Sequence, residues 1–404
     1  MSKSGMLTPN RERFLAICRG QRPGDVSIID WLNEPWVDTP QTWAKQGAPE
    51  ELKNADSFSR YFQFDHLQAL DGIICGNYRA DLKERGVAAF YVTPPVVPVF
   101  EVKVIREDER HRVETTYGGA TVLVSKEFPW RMPKYLDYPV KDRATWNEYK
   151  KRLDPDTPQR WPADWNAYVE KANAEDAPTM LFLSGFFGML REWMGLENLL
   201  YAFYDDPSLV EEMMDQVLYL DMAVARRAVT HLRIDLVRFW EDMAYKSGPL
   251  ISPEMFKKFM IPRYKQIADL LLSSGIDILF VESDGNINEL IPIWLKECGI
   301  NMHNPLEVAA GMDAVSLRKK YGSGLILCGN IDKKIFAKGK EAIRDEVMSK
   351  VPFLLETGGY FPCIDHAIPP DISFESFHYF VNLLREIAGI ERLPFSRQAR
   401  RAWD

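Results

Sequence analysis

The sequence predicts an α/β protein, a (β/α)8 TIM-type barrel with an irregular N-terminal cap. From Thr179 onward, short β-rich runs alternate with long amphipathic segments. The turns between them are short, which is how a parallel sheet covered by helices is written in sequence. Neither a GxGxxG fingerprint nor a Walker motif supports the other solution to this alternation, an open doubly wound sheet.

The β-like runs cover residues 180–183, 236–240, 276–281, 300–302, 325–328 and 359–362. Helical spacing predicts a helix over 209–231. A second helix is expected over 253–273, where Ser252-Pro253 supplies an N-cap and a proline at the first helical position. Residues 287–298, 313–321, 340–356 and 373–388 fit the same pattern. The first 178 residues are less regular. A short helix is expected over 10–19, and residues 28–43 are rich in Trp and Pro. Residues 91–100 (YVTPPVVPVF) cannot form a central strand, because proline removes ladder donors. Residues 102–124 read as an antiparallel meander with a turn at Gly118-Gly119. No linker separates the halves, so 1–404 is expected to be one domain. Residues 1–178 would supply the cap and first strands, and 179–390 the regular repeats.

Composition narrows the function. The 404 residues are 46% hydrophobic and 12% aromatic, enough for a large core and unlike a disordered chain. A net charge of −8 with no basic stripe argues against a nucleic-acid partner. Apolar runs such as 179–190 are too short for a bilayer, and MSKSGMLTPNRERF lacks an apolar leader core, so a cytoplasmic, non-membrane protein is expected. The cysteines at 18, 75, 298, 328 and 363 are scattered and odd in number, which predicts free thiols. The sequence leaves the oligomeric state open.

Active sites of such barrels sit at the C-terminal ends of the strands. Reading past each β-run gives Glu241 and Asp242, then Glu282 and Asp284, then His303 and Glu307, then Asn330, and finally Cys363, Asp365 and His366. Glu241, Glu282, Asp284, Asp365 and His366 are the candidates for acid–base work, with Asp365 orienting His366. His303, Glu307 and Asn330 are expected to bind substrate, and Cys328 reads as a core thiol. Phe186 and Phe187, in the glycine-flanked SGFFG, and Trp31 and Trp36 are expected to form an aromatic wall. Glu282, His303, Cys363 and His366 are of types that bind zinc.

Four segments then resemble the uroporphyrinogen decarboxylase superfamily: RERFLAICRGQRPGDV, SGPLISPEMFKKFMIPRYKQIADLLLSSGID, LILCGNIDKKIFAKGKEAI and GGYFPCIDHAIPPDISFESFHYFVNLL. The resemblance implies a (β/α) barrel and one of two chemistries. One is decarboxylation of acetate side chains on a tetrapyrrole. The other is methyl transfer to or from a corrinoid (cobalamin) carrier or a thiol, often with zinc. The decarboxylases carry an arginine-bearing RQAGRY-type segment that grips carboxylates, whereas the corresponding IIDWLNEPWVDTPQTW is acidic and aromatic. The thiol-directed methyltransferases carry an HxC motif and a Cys before the final IPP. The matching places here are Phe280 with Glu282, and His366. What remains is similar to the O-demethylating branch, some of whose members bind zinc through Glu, Glu and His. Glu282 with His303 matches that spacing in part, and Glu297 lies in mid-helix. The resemblance therefore implies transfer of a methyl group from a small methoxylated aromatic to a corrinoid protein. A tetrapyrrole decarboxylase and a non-catalytic small-molecule-binding barrel are the alternatives.

Overall fold

A computed structural model describes residues 10–22, 24–49, 52, 55–70, 95–128 and 131–395. Cys75 and residues 91–94 of the proline-rich run lie outside the described residues. In chain order the strands are β1 (Gln68–Leu70), β2 (Val104–Glu107), β3 (His111–Thr115), β4 (Thr121–Ser125), β5 (Lys134–Asp137), β6 (Thr179–Leu183), β7 (Leu236–Trp240), β8 (Ala244–Tyr245), β9 (Gly248–Pro249), β10 (Ile278–Glu282), β11 (Met302–Asn304), β12 (Ile326–Cys328) and β13 (Tyr360–Phe361). Seven of them form one sheet in the order β1-β6-β7-β10-β11-β12-β13, with every neighbouring pair parallel. Strands β2 to β4 form the antiparallel meander expected over 102–124, and β5 adds a fourth antiparallel strand beyond it.

The parallel sheet curls until its edges are joined through residues 28–36. Ile29 bridges Asp65, just before β1, and Pro35 bridges Ile368, beyond β13. Amide hydrogen bonds secure both sides, Asp65 N–H to the Ile28 carbonyl at 2.8 Å and Trp36 N–H to the Ile368 carbonyl at 2.9 Å. The Trp- and Pro-rich stretch is thus a seam between the first and last strands, and it carries Trp31 and Trp36 to the rim.

Strand parity divides the core in two. Successive side chains point to opposite faces. Met180, Leu236, Ile278, Phe280, Met302 and Ile326 fill the interior of the curl together with Phe14 and Ile17 from the helix Asn10–Cys18. Their neighbours Leu181, Val237, Leu279, Val281 and Leu327 face the outer helices. Those helices start where the sequence marks them. The side chains of Ser252, Asp313 and Ser373 accept the amides of Met255, Ser316 and Ser376, satisfying N–H groups with no partner inside the helix.

Two expectations need correction. Residues 253–273 form two helices, Pro253–Phe259 and Ile261–Ser273, broken beside Pro262. SGFFG is not an open strand-end loop. It starts the helix Phe186–Met194, and its two phenylalanines are fully buried.

Candidate active site

The strand ends on the interior face converge on a mixed aromatic and ionisable site. Arg238, two residues beyond the interior Leu236, points inward, and so does Glu282, two beyond Phe280. Arg238 Nη2 donates to Glu282 Oε2 at 2.5 Å. The guanidinium lies over the rings of Trp31 and Phe182, 4.8 and 4.6 Å from their centroids. Trp31 in turn meets Phe182 and Phe280 edge-on. Burial lowers the arginine's affinity for its proton and raises that of Glu282, while each opposes the shift in the other.

Above this pair lie Asp284 and His366, with Nε2 of His366 3.9 Å from Oδ2 of Asp284. The ring of Trp36 approaches His366 edge-on at 5.7 Å. Gly285 fixes the turn that holds Asp284. Its φ is +81°, and a Cβ there would lie 2.3 Å from the Ala244 carbonyl oxygen. The Gly285 amide donates to Glu307 Oε2 at 2.9 Å, tying this loop to the next. Burial, then Glu282, Asp242 and Glu307, push the Asp284 carboxyl up to about 8. Burial, aided by Lys333, lowers His366 below the usual imidazole value. At neutral pH both groups are uncharged.

Two further ion pairs complete the rim. Arg191, from the helix Phe186–Met194, donates to Oδ2 and to the backbone carbonyl of Asp242, each at 2.6 Å. Lys333 Nζ stands 3.8 Å from Glu307 Oε1. Asp242 is one of the strand-end candidates read from the sequence, whereas Arg238, Arg191 and Lys333 were not among the residues expected from it. The available signal was Arg238 itself, a charged residue inside the apolar run LVRFW.

Trp31, Trp36, Glu282, Asp284, Glu307 and His366 are thus brought together, and seven other expected site residues are placed differently. Glu241 is fully buried on the outer face. Its carboxylate accepts the amides of Phe186, Phe187 and Gly188 at 2.8, 2.7 and 3.1 Å, and the Tyr264 hydroxyl. It caps a helix and does not reach the mouth, and burial pushes its carboxyl up to about 7. Gly185 permits this docking, since a Cβ there would come within 1.7 Å of the Trp240 carbonyl oxygen. Phe186 and Phe187 pack against Tyr264 and Phe203 between sheet and helices. Asn330 is a loop brace, donating to the carbonyls of Leu306 and Met312 and accepting the Ala314 amide. Asp365 does not orient His366. Its two oxygens accept the amides of Val308 and Lys333, stitching three strand-end loops together, and His366 Nδ1 faces the Ala367 carbonyl at 3.4 Å.

His303 is the central residue of β11, not the first residue beyond it, and therefore faces outward. Its ring lies 5.4 Å from that of Trp294, is fully buried, and has no hydrogen-bond partner at either nitrogen. Burial lowers it to about 3. Cys363 points into the core, where burial pushes its thiol up, and Asn304 Nδ2 is 3.9 Å from its sulfur. The four residues expected to hold zinc therefore do not fit such a centre. Glu282 is engaged by Arg238, His303 is on the opposite face, and Cys363 favours the protonated thiol. No three His, Cys, Asp or Glu side chains are grouped as a metal site among the described residues.

The comparisons with known proteins agree with this architecture. A family profile described as uroporphyrinogen decarboxylase (URO-D) matches residues 130–387, and the chain belongs to that family. Similar curated proteins include a uroporphyrinogen decarboxylase of Legionella pneumophila, 28% identical over 144 residues, 35% of this chain and 39% of that one. Another, from Alcanivorax borkumensis, is 21% identical over 192 residues, 46% of this chain and 50% of that one. The matches thus span between two fifths and half of these relatives' lengths. Among solved structures, a methyltransferase from Methanosarcina mazei superposes with a TM-score of 0.55 at 15% identity, covering 94% of this chain and 98% of that one. That likeness extends the shared fold over nearly the whole chain. No helix among the described residues is long and apolar enough to cross a membrane.

Proposed function

We infer that the protein is a methyltransferase which removes an O-methyl group from a small methoxylated aromatic and passes it to a corrinoid carried by a partner protein. The observation that carries this reading is the Asp284 carboxyl. It is held in its acid form beside His366, on a rim lined by Trp31 and Trp36.

The chemistry explains why such an acid is needed. Breaking the methyl–oxygen bond of an aryl ether leaves its electron pair on oxygen. A phenol has a pKa of about 10, so phenolate is a poor leaving group at neutral pH. A neutral carboxylic acid within reach of that oxygen supplies the proton as the bond breaks, a contribution of roughly 10²–10⁴ in rate. Asp284 fills that role. Burial, reinforced by Glu282, Asp242 and Glu307, keeps the proton on it, and His366, neutral and facing it, can return a proton from solvent. Trp31 and Trp36 offer faces and edges on which a planar ring can settle. The reduced corrinoid supplies the nucleophile that takes the methyl group.

Decarboxylation of a tetrapyrrole is the second reading, and the curated relatives favour it. The site does not, because its interior arginine is already paired with Glu282. A substrate with many carboxylates needs unpaired cations to replace its water. The deciding experiment incubates the protein with a panel of methoxyarenes, a reduced corrinoid protein and titanium(III), following methylcobalamin by its absorption. Methyl transfer supports the first reading. Its absence, with carbon dioxide released from uroporphyrinogen, supports the second.

A further inference from the structure

We propose that the rim selects for zero net charge, so that the substrate is an uncharged methoxyarene lacking both a carboxylate and an ammonium group. This rests on the reading above and narrows its substrate class.

The charges in the mouth are already engaged with one another. Three cations of the described residues there face their own carboxylates, Arg238 with Glu282, Arg191 with Asp242 and Lys333 with Glu307. Between these pairs stand Asp284 and His366, the first neutral because it is buried among carboxylates, the second neutral because it is buried near a lysine. An incoming carboxylate would meet three carboxylates and find, among the described residues, no free guanidinium or ammonium. It would bind only by breaking a pair and leaving that pair's acid desolvated and alone. An incoming ammonium would meet the mirror of that cost from Arg238, Arg191 and Lys333. An uncharged ring disturbs none of the pairs and buries its faces against Trp31 and Trp36.

One donor remains for a neutral oxygen. Nε of Arg238 is buried and has no hydrogen-bond partner. A phenol or ether oxygen on the substrate ring would satisfy it without bringing in charge, and rejection of an analogue lacking that oxygen would follow from leaving the donor unpaired.

The test uses three ligands on one methoxyphenol frame, differing only at the position para to the hydroxyl: carboxamide, carboxylate and aminomethyl. Binding is measured by calorimetry at neutral pH with no corrinoid present, so the result does not depend on turnover. The amide is expected to bind at least about tenfold more tightly than either charged ligand, a difference of about 1.4 kcal/mol. Equal or tighter binding of the carboxylate or the amine, or no binding by any of the three, overturns the proposal. Amide binding without methyl transfer leaves the charge selection standing and removes only the reading of the reaction. A Glu307→Gln variant can still accept the Gly285 amide but frees Lys333. It should at least halve the discrimination against the carboxylate, and unchanged discrimination would overturn the assignment of selectivity to these pairs.

Discussion

His303 makes the protein sensitive to acid through a group remote from the site. The ring is fully buried against Trp294, and neither nitrogen has a hydrogen-bond partner. Burial takes it from 6.5 to about 3 in the folded chain, while the unfolded chain keeps the ordinary value. Protonation therefore favours the unfolded state. The stability that depends on a neutral ring is present above the unfolded value of 6.5 and is lost as the pH falls toward 3. At about 1.4 kcal/mol per unit, the whole window amounts to about 5 kcal/mol, of which about 3 kcal/mol is lost between pH 7 and pH 4. The perturbation is His303→Phe, which keeps an aromatic ring against Trp294 and removes the titration. Urea denaturation of both proteins at the two pH values isolates this group, because the other titrations cancel in the comparison. The variant should lose about 3 kcal/mol less than the parent on acidification, whatever its stability at pH 7. Parallel losses would refute both the outward placement and the absence of partners.

Other substitutions separate structural roles from chemical ones. Glu241→Ala strips the acceptor from three amides and a tyrosine hydroxyl, so it should cost about 3–5 kcal/mol in denaturation while Glu241→Gln costs less. Arg238→Met leaves Glu282 buried beside aromatic rings and should destabilise by about 3–5 kcal/mol, with much of the loss recovered in Arg238→Met/Glu282→Leu. A double variant no more stable than the single one would remove the pairing from the account. His366→Ala should lower methyl transfer at least about tenfold with little change in the urea midpoint. An unchanged rate would withdraw its role in proton return.

The layout of the curled parallel sheet and its helices was legible because its signals are local. Ser252, Asp313 and Ser373 mark helix starts by side-chain chemistry alone, and the apolar runs lie within about two residues of β6, β7, β10, β11, β12 and β13. The same small offset decided which site residues could be read. A one-residue shift moves a side chain to the opposite face of a sheet. β11 begins two residues later than its apolar run suggests, which turns His303 from a rim residue into an outward one and leaves Asn304 inside. Glu241 likewise faces the outer helices, where it accepts the amides of Phe186, Phe187 and Gly188, while Asp242, one residue on, reaches Arg191 at the rim. Arg238 could have been found from parity with Leu236, an interior residue two positions earlier. The burial of Phe186 and Phe187 could not, because it depends on Gly185 letting the helix press against the backbone of Trp240, a contact between segments far apart in the chain. The strand-end positions of Asp284 and His366 could be read because each follows its strand in a short loop, that of Asp284 fixed by the turn at Gly285.

The proposed methyl transfer requires Asp284 to hold a proton at neutral pH and give it to the departing oxygen. The most direct measurement is kcat/KM for methyl transfer from an uncharged methoxyarene as a function of pH, for the parent and for Asp284→Asn. The parent should be level near neutrality and fall about tenfold per unit above a midpoint of about 8, and the variant should lose roughly 10²–10⁴ in rate together with that midpoint. A parent rate that climbs through pH 8, or a variant that keeps the parent's profile, would contradict the claim.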